Sequence, residues 1–249
     1  MDKWNWGESA YLVKSKFQII WKSKRFPVKE IEKYTSSRTD IKRISEVGCG
    51  GGSLGLCFVA KGYDVIFTDY SEQMLHSCRN NIAAVNEKGY REKLSCQNMF
   101  ALGIKDNSVD LVFSDGVYEH IHAQKDRLLM LSEQRRILKK NGAIAVIIPN
   151  NKHPLVNYWR KKKYPWYDKG ACPDWEIALS SDELAGELKM ANFDDVYVDG
   201  CRVYEMIDKW PLTKPRHFLM NACKLLLPEW NRPFRVKYGT YLFALGRKQ

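Results

Sequence analysis

The chain of 249 residues contains no Cys-x-x-Cys pair, no internal repeat, no low-complexity tract and no apolar run long enough to span a bilayer. Its seven cysteines (49, 57, 78, 96, 172, 201 and 223) are odd in number and scattered. That spacing argues against a disulfide framework or a zinc knuckle, and the thiols read as reduced. The longest apolar stretches, such as Ala143 to Pro149, fall far below the roughly 20 residues a membrane helix needs. The opening Met1-Asp2-Lys3-Trp4 carries no signal-peptide core. A soluble, cytoplasmic protein is expected.

The net charge of +11 is unevenly spread. Residues 1–43 hold 11 Lys and Arg against 5 Asp and Glu, residues 44–149 hold 12 against 12, residues 150–208 hold 8 against 11, and residues 209–249 hold 9 against 1. The central part is therefore neutral. The two basic ends point to an acidic partner or surface met by appended elements.

From residue 42 onward, short apolar strands alternate with amphipathic helices. Strands are predicted at 42–48, 64–69, 93–98, 109–114, 143–148, 195–204 and 237–245. Helices are predicted at 54–61, 71–86 (Ser71 as N-cap), 119–139 and about 180–191 (opened by Ser180-Ser181-Asp182-Glu183). This alternation predicts an α/β fold, a parallel sheet with helices on both faces. A further helix is expected at 8–22, with Trp4, Trp6, Tyr11 and Trp21 near it, and an apolar one at 217–227 between Pro215 and Pro228.

The chain is organised around Ile44-Ser45-Glu46-Val47-Gly48-Cys49-Gly50-Gly51-Gly52-Ser53-Leu54-Gly55, a strand running into glycines and then a helix. Glycines permit positive φ and close backbone approach, and a helix start offers free N–H groups and a positive dipole end. Such a turn touches a nucleotide-like ligand with main chain. Cys49 lies within it and reads as a small residue whose main chain matters.

Two registers fit. Gly50-x-Gly52-x-x-Gly55, with Asp69 about twenty residues on, matches the dinucleotide fingerprint of NAD-binding oxidoreductases. Glu46-Val47-Gly48-Cys49-Gly50-x-Gly52 resembles motif I of the class I S-adenosylmethionine-dependent methyltransferases. A carboxylate at the strand end suits a cationic ligand better than a pyrophosphate, so the sign of the charge favours the methyl donor.

The resemblance continues over residues 42 to about 203. Asp69 ends the second strand, where the family places the carboxylate for the ribose hydroxyls, and Tyr70 and Met74 follow at adenine-packing positions. Asn98-Met99-Phe100 ends the third strand, with Asn98 where the family often has Asp; its amide oxygen still accepts the adenine amino hydrogen. Asn107-Ser108-Val109-Asp110 and Lys139-Lys140-Asn141-Gly142 resemble the family's entries to strands four and five, with Asn141 suited to the left-handed conformation. The resemblance implies a Rossmann-like, mostly parallel sheet of seven strands whose last strand is antiparallel. It implies S-adenosylmethionine as cofactor and S-adenosylhomocysteine as product, held by Glu46, Gly48, Cys49, Gly50, Gly52, Asp69, Tyr70, Met74, Asn98, Met99 and Ser114.

Strand four runs into Ser114-Asp115-Gly116-Val117-Tyr118-Glu119-His120, without the Asn/Asp-Pro-Pro-aromatic or Pro-Cys patterns of base-modifying members. It resembles the small-molecule O- and N-methyltransferases, which often read Leu-Glu-His here. His120 is the candidate base, since imidazole titrates near neutrality; His122, His153 and His217 rank behind it. No metal site is expected, because His120-x-His122 has no third ligand near it.

The expected organisation is one domain: an N-terminal helical cap (1–40), a cofactor half (41–149) and a substrate half (150–249) with lid insertions at about 150–178 and 206–236. Arg160 to Lys163, set among aromatics, suits an anionic acceptor, and the apolar 217–227 segment suits peripheral contact with a membrane. The expected activity is methyl transfer to a hydroxyl or amine of a small-molecule or lipid- or glycan-linked acceptor. RNA methylation, NAD-dependent oxidoreduction and a non-catalytic binding module that retains the fold are the alternatives.

Overall fold

The computed structural model describes residues 27–36, 38–85, 92–153, 176–201, 203 and 232–249. The expected N-terminal helix with its tryptophans, the Arg160 to Lys163 cluster, His217 and the apolar 217–227 helix lie outside the described residues.

Seven strands form one sheet: β1 (Arg43–Val47), β2 (Asp64–Asp69), β3 (Glu92–Cys96), β4 (Val109–Asp115), β5 (Leu138–Pro149), β6 (Asp194–Cys201) and β7 (Tyr241–Arg247). Their order is β3-β2-β1-β4-β5-β7-β6. β1 through β5 pair in parallel, and β7 runs antiparallel to both β5 and β6. The Rossmann-like sheet read from the sequence is therefore present, with β7 inserted beside β5.

The parallel strands are almost continuously buried, as expected where helices cover both faces. On one face, α1 (Val28–Ser36), α2 (Gly55–Val59) and α3 (Glu72–Val85) bring Val28, Ile31, Leu56, Phe58, Leu75 and Ile82 onto Ile44, Phe67, Phe113 and Ile147. On the other, α4 (Gln124–Ile137) and α5 (Ser181–Met190) bring Met130, Leu131, Leu184 and Leu188 onto Val112, Ile144, Val146 and Ile148. Each such fully buried side chain stabilises the fold by roughly 1.5–3 kcal/mol relative to exposure.

The local signals for the ends of elements mostly hold. Ser71 caps α3, its Oγ accepting from Met74 N at 3.3 Å. Ser180 and Glu183 form a reciprocal capping box at the start of α5. Asn141 adopts φ 63° at the turn inside β5.

Two expectations are corrected. The helix expected over 119–139 is a one-turn 3-10 helix, Tyr118–His120, then a break, then α4. Arg127 causes the break, because its Nη1 takes the carbonyls of Ile121 (2.9 Å) and His122 (2.6 Å), drawing them out of a helical ladder. The strand expected over 237–245 begins only at Tyr241, and the preceding segment is a helix, α6 (Arg232–Tyr238). Pro233 is tolerated in its first turn, and Arg235 ties it to Asp199 on β6 at 2.5 Å.

Candidate functional site

β1 is the point where the strand order reverses, with β2 on one side and β4 on the other. In an open α/β sheet the crevice beyond the carboxyl ends of such strands is where ligands bind. The glycine stretch leaves β1 there, and Gly48, Gly50 and Gly52 all have positive φ (70°, 50° and 69°).

Main-chain bonds fix this loop to β2: Gly48 N and Cys49 N both donate to Thr68 O, at 2.8 and 2.9 Å. Asp69 holds it from the side. One carboxylate oxygen accepts from Gly50 N and the other from Ser71 N, each at 2.8 Å. Each oxygen keeps a second acceptor direction, so Asp69 joins the glycine loop, the start of α3 and an open acceptor at one half-buried point.

Glu46 is buried, and its Oε2 accepts from Gly55 N at 3.0 Å, capping the start of α2. The sequence assigns this carboxylate to a cationic ligand; the structure gives it a part in closing the loop. Cys49 is buried, and its thiol is pushed up by a hydrogen bond with Cys78, with burial adding to the effect. Such a thiol is held in its protonated form.

The remaining donor-side residues divide. Tyr70 is 68% exposed beside Asp69, whereas Met74 is buried. Asn98 is exposed, and its Oδ1 accepts from Phe100 N at 3.0 Å, leaving one acceptor direction. Gln97 N donates to Asp69 O at 2.9 Å, which ties the end of β3 to the end of β2. Met99 packs half-buried against the core, and Ser114 is fully buried with its Oγ unpartnered among the described residues.

Three features carry no sequence signal. Asn81 on α3 is buried and donates to Gly51 O at 2.8 Å, holding the loop from beneath. Val117 packs where a Cβ on Gly48 would lie, at 2.3 Å from Cγ2, so the turn after β4 rests directly on the glycine loop. The third is an anchor for that turn. Arg127 pairs with Glu187 (Nη2 to Oε1, 2.5 Å), both buried, and Tyr118 OH donates to Glu187 Oε2 at 2.5 Å. No sequence spacing announces a pair 60 residues apart.

The turn so anchored carries the candidate base. His120 is half-buried, and burial together with the nearby His122 holds its imidazole below its ordinary value, so it is neutral at pH 7. His153 is also held low by burial. Glu119, to which the sequence assigns no role, is 5% exposed. Burial first, then the charges of Asp115 and Glu176, push its carboxyl up to about 8 against the opposing N–H groups of Val117 and Glu119 itself.

The residues fit an adenosine-bearing ligand: a positive-φ glycine cradle, a half-open carboxylate at the end of β2, and an exposed aromatic beside it. Comparison with known proteins agrees. Residues 45–146 match the family described as methyltransferase domain. The chain is 22% identical over 175 residues to a ubiquinone biosynthesis O-methyltransferase of Parvibaculum lavamentivorans, covering 69% of this chain and 66% of that protein. It is 27% identical over 124 residues to ribosomal RNA large subunit methyltransferase G of Pseudoalteromonas translucida, covering 48% and 32%. The matches span less than two thirds of either relative's own length. A solved S-adenosylmethionine-dependent methyltransferase of Archaeoglobus fulgidus shares the fold, with TM-score 0.58, 17% identity and coverage of 94% of this chain and 100% of that one. Residues 45–146 thus match a methyltransferase domain, within a fold shared with solved S-adenosylmethionine-dependent methyltransferases, and the methyl-donor register of the glycine loop is favoured over the dinucleotide one.

Proposed function

We propose that the protein methylates a hydroxyl or amine of a small-molecule or lipid- or glycan-linked acceptor. The observation that carries this reading is Asp69, whose two oxygens hold Gly50 and the start of α3 while keeping acceptor directions open at the loop's mouth. In this reading Asp69 takes the ribose hydroxyls, the main chain of Gly48 to Gly52 lies along the amino-acid tail, Asn98 takes the adenine amino group, and Tyr70, Met74 and Met99 border the base. Ser114 lies toward the reacting end. Bound S-adenosylmethionine supplies a methyl group already activated on a sulfonium.

What the protein adds is position and proton transfer. His120, kept neutral and seated on a turn that rests against Gly48, removes the acceptor's proton. The calorimetric test uses the product cofactor. S-adenosylhomocysteine is expected to bind the full chain, and Asp69→Ala to weaken that binding by about tenfold or more, the loss of a charge-assisted acceptor. No binding by the natural protein, or equal binding by the variant, overturns the reading.

The basic ends and the likeness to a ribosomal RNA methyltransferase support a second reading, an RNA acceptor. Tight RNA binding whose affinity falls steeply with salt would favour it; a salt-independent acceptor affinity favours the small molecule.

A further inference from the structure

Beyond the donor site, the turn after β4 holds a carboxyl group with unused bonding capacity. Glu119 is 5% exposed, and its Oε2 has no hydrogen-bond partner among the described residues. A buried polar atom left in that state is costly, and native structures keep few of them without a reason. It sits three residues beyond Gly116, in the turn whose Val117 rests on Gly48, and so next to the glycine loop.

The turn has little freedom to move the carboxyl elsewhere. Tyr118 is tied to Glu187, Arg127 holds the Ile121 and His122 carbonyls, and Ile177 N donates to Glu119 O at 2.8 Å. This last bond draws in the strand-like segment before α5 and with it Glu176. Asp115, at the end of β4, and Glu176 both raise the proton affinity of the Glu119 carboxyl through their charge. Negative charge from two neighbouring elements therefore surrounds the Glu119 carboxyl.

Resting on the methyltransferase reading above, we propose that Glu119, flanked by Asp115 and Glu176, binds the protonated amine of the acceptor, so that the substrate is a cationic amine and not a neutral alcohol. A metal ion is a poorer occupant, since no group of three or more His, Cys, Asp or Glu among the described residues converges as ligands. An ammonium needs only directional acceptors and negative potential, which this turn offers. His120, the next residue, is neutral and able to take the ammonium proton and free the nitrogen lone pair. Binding of the cation ionises Glu119, so uptake near neutral pH releases a proton.

The test titrates the full-length protein with n-butylammonium chloride and with 1-butanol, by ligand-observed magnetic resonance, both with and without S-adenosylhomocysteine. The ammonium is expected to bind about tenfold tighter than the alcohol. Glu119→Gln should abolish that preference while leaving S-adenosylhomocysteine affinity unchanged. This variant is neutral and nearly isosteric with the protonated carboxyl, and Asp115→Asn, expected to weaken the ammonium several-fold, provides a second, independent change. Calorimetry in buffers of different ionisation heat should record proton release on ammonium binding and none on alcohol binding. Equal binding of amine and alcohol, or a preference that survives Glu119→Gln, overturns the proposal. Failure of S-adenosylhomocysteine to bind counts against the donor reading instead, because the ammonium preference is measured in its absence as well.

Discussion

Glu119 and His120 are consecutive residues, and the same cause, removal from water, holds both in their neutral forms. A carboxyl goes up on burial and an imidazole goes down. The Glu119 carboxyl rises from 4.5 to about 8, which carries a consequence for stability. The folded protein holds a proton between those values that the unfolded chain has lost. The stabilisation from this group is thus fully present below about pH 4.5 and is lost as the pH rises toward 8. Every tenfold change in proton affinity is worth about 1.4 kcal/mol, so the loss totals a few kcal/mol. Urea denaturation of the natural protein and of Glu119→Gln, run from about pH 5 to about pH 8.5, should show the natural protein losing stability relative to the variant across that window. Parallel profiles would contradict the buried carboxyl. The sequence assigns this residue no role, because its surroundings include Ile177, which lies far along the chain and bonds its carbonyl. The glycines and Asp69 act through backbone and spacing, and are legible for that reason.

The elements around that turn are legible in the sequence where local chemistry decides them. Capping at Ser71 and Ser180, and the left-handed Asn141, depend on residues within one turn of the boundary, and all three hold. The break between the one-turn helix and α4 depends on a distant partner. Arg127 on α4 is buried against Glu187 on α5, and only with that charge in place does the guanidinium sit where it takes the carbonyls of Ile121 and His122. Local periodicity runs straight through it. Likewise the end of α6 reads as strand in the sequence, because the helix is held by a pairing with Asp199 across β6. Glu187→Ala strips the buried guanidinium and Tyr118 of their common acceptor and should cost about 3–5 kcal/mol, the range for breaking a buried pair by removing one partner. Removing an exposed acid, as in Glu30→Ala beside Lys33, should cost under about 1 kcal/mol. Chemical denaturation midpoints of the two variants make the comparison, and similar shifts would mean that the α4–α5 pair does not anchor the turn.

Across the whole molecule, the candidate donor site and the Lys248 anchor lie at opposite ends of the sheet. The parallel strands present their carboxyl ends, with Gly48, Asp69 and Ser114, to the crevice proposed above as the donor site. At the other end, Lys248, just past β7, donates through Nζ to Asn107 Oδ1 (2.7 Å), Arg135 O (2.9 Å) and Leu138 O (2.7 Å). All three ammonium hydrogens are thereby used, and two of the carbonyls lie at the C-terminal end of α4, where a cation also meets the negative end of the helix dipole. Burial lowers the proton affinity of this lysine, and it remains the charge that joins the last strand to the start of β4 and β5. The alternation of strands and helices in the sequence sets these ends apart; that the last strand is antiparallel follows from the family resemblance and not from periodicity, and its place between β5 and β6 is read from the structure alone. Lys248→Met keeps the length of the side chain and removes its donors, leaving carbonyls and an amide oxygen without their partner, a loss of about 1–3 kcal/mol. β4 spans about 20 Å from Val109 to Asp115 at roughly 3.3 Å per residue, so the donor site lies a full strand length away. Lys248→Met should therefore lower the urea midpoint while the affinity for S-adenosylhomocysteine stays within about twofold of the natural protein, the additivity expected of sites so far apart. A parallel fall in both would show that the lower end of the sheet sets the geometry of the glycine loop, and would place the two functions on one cooperative unit.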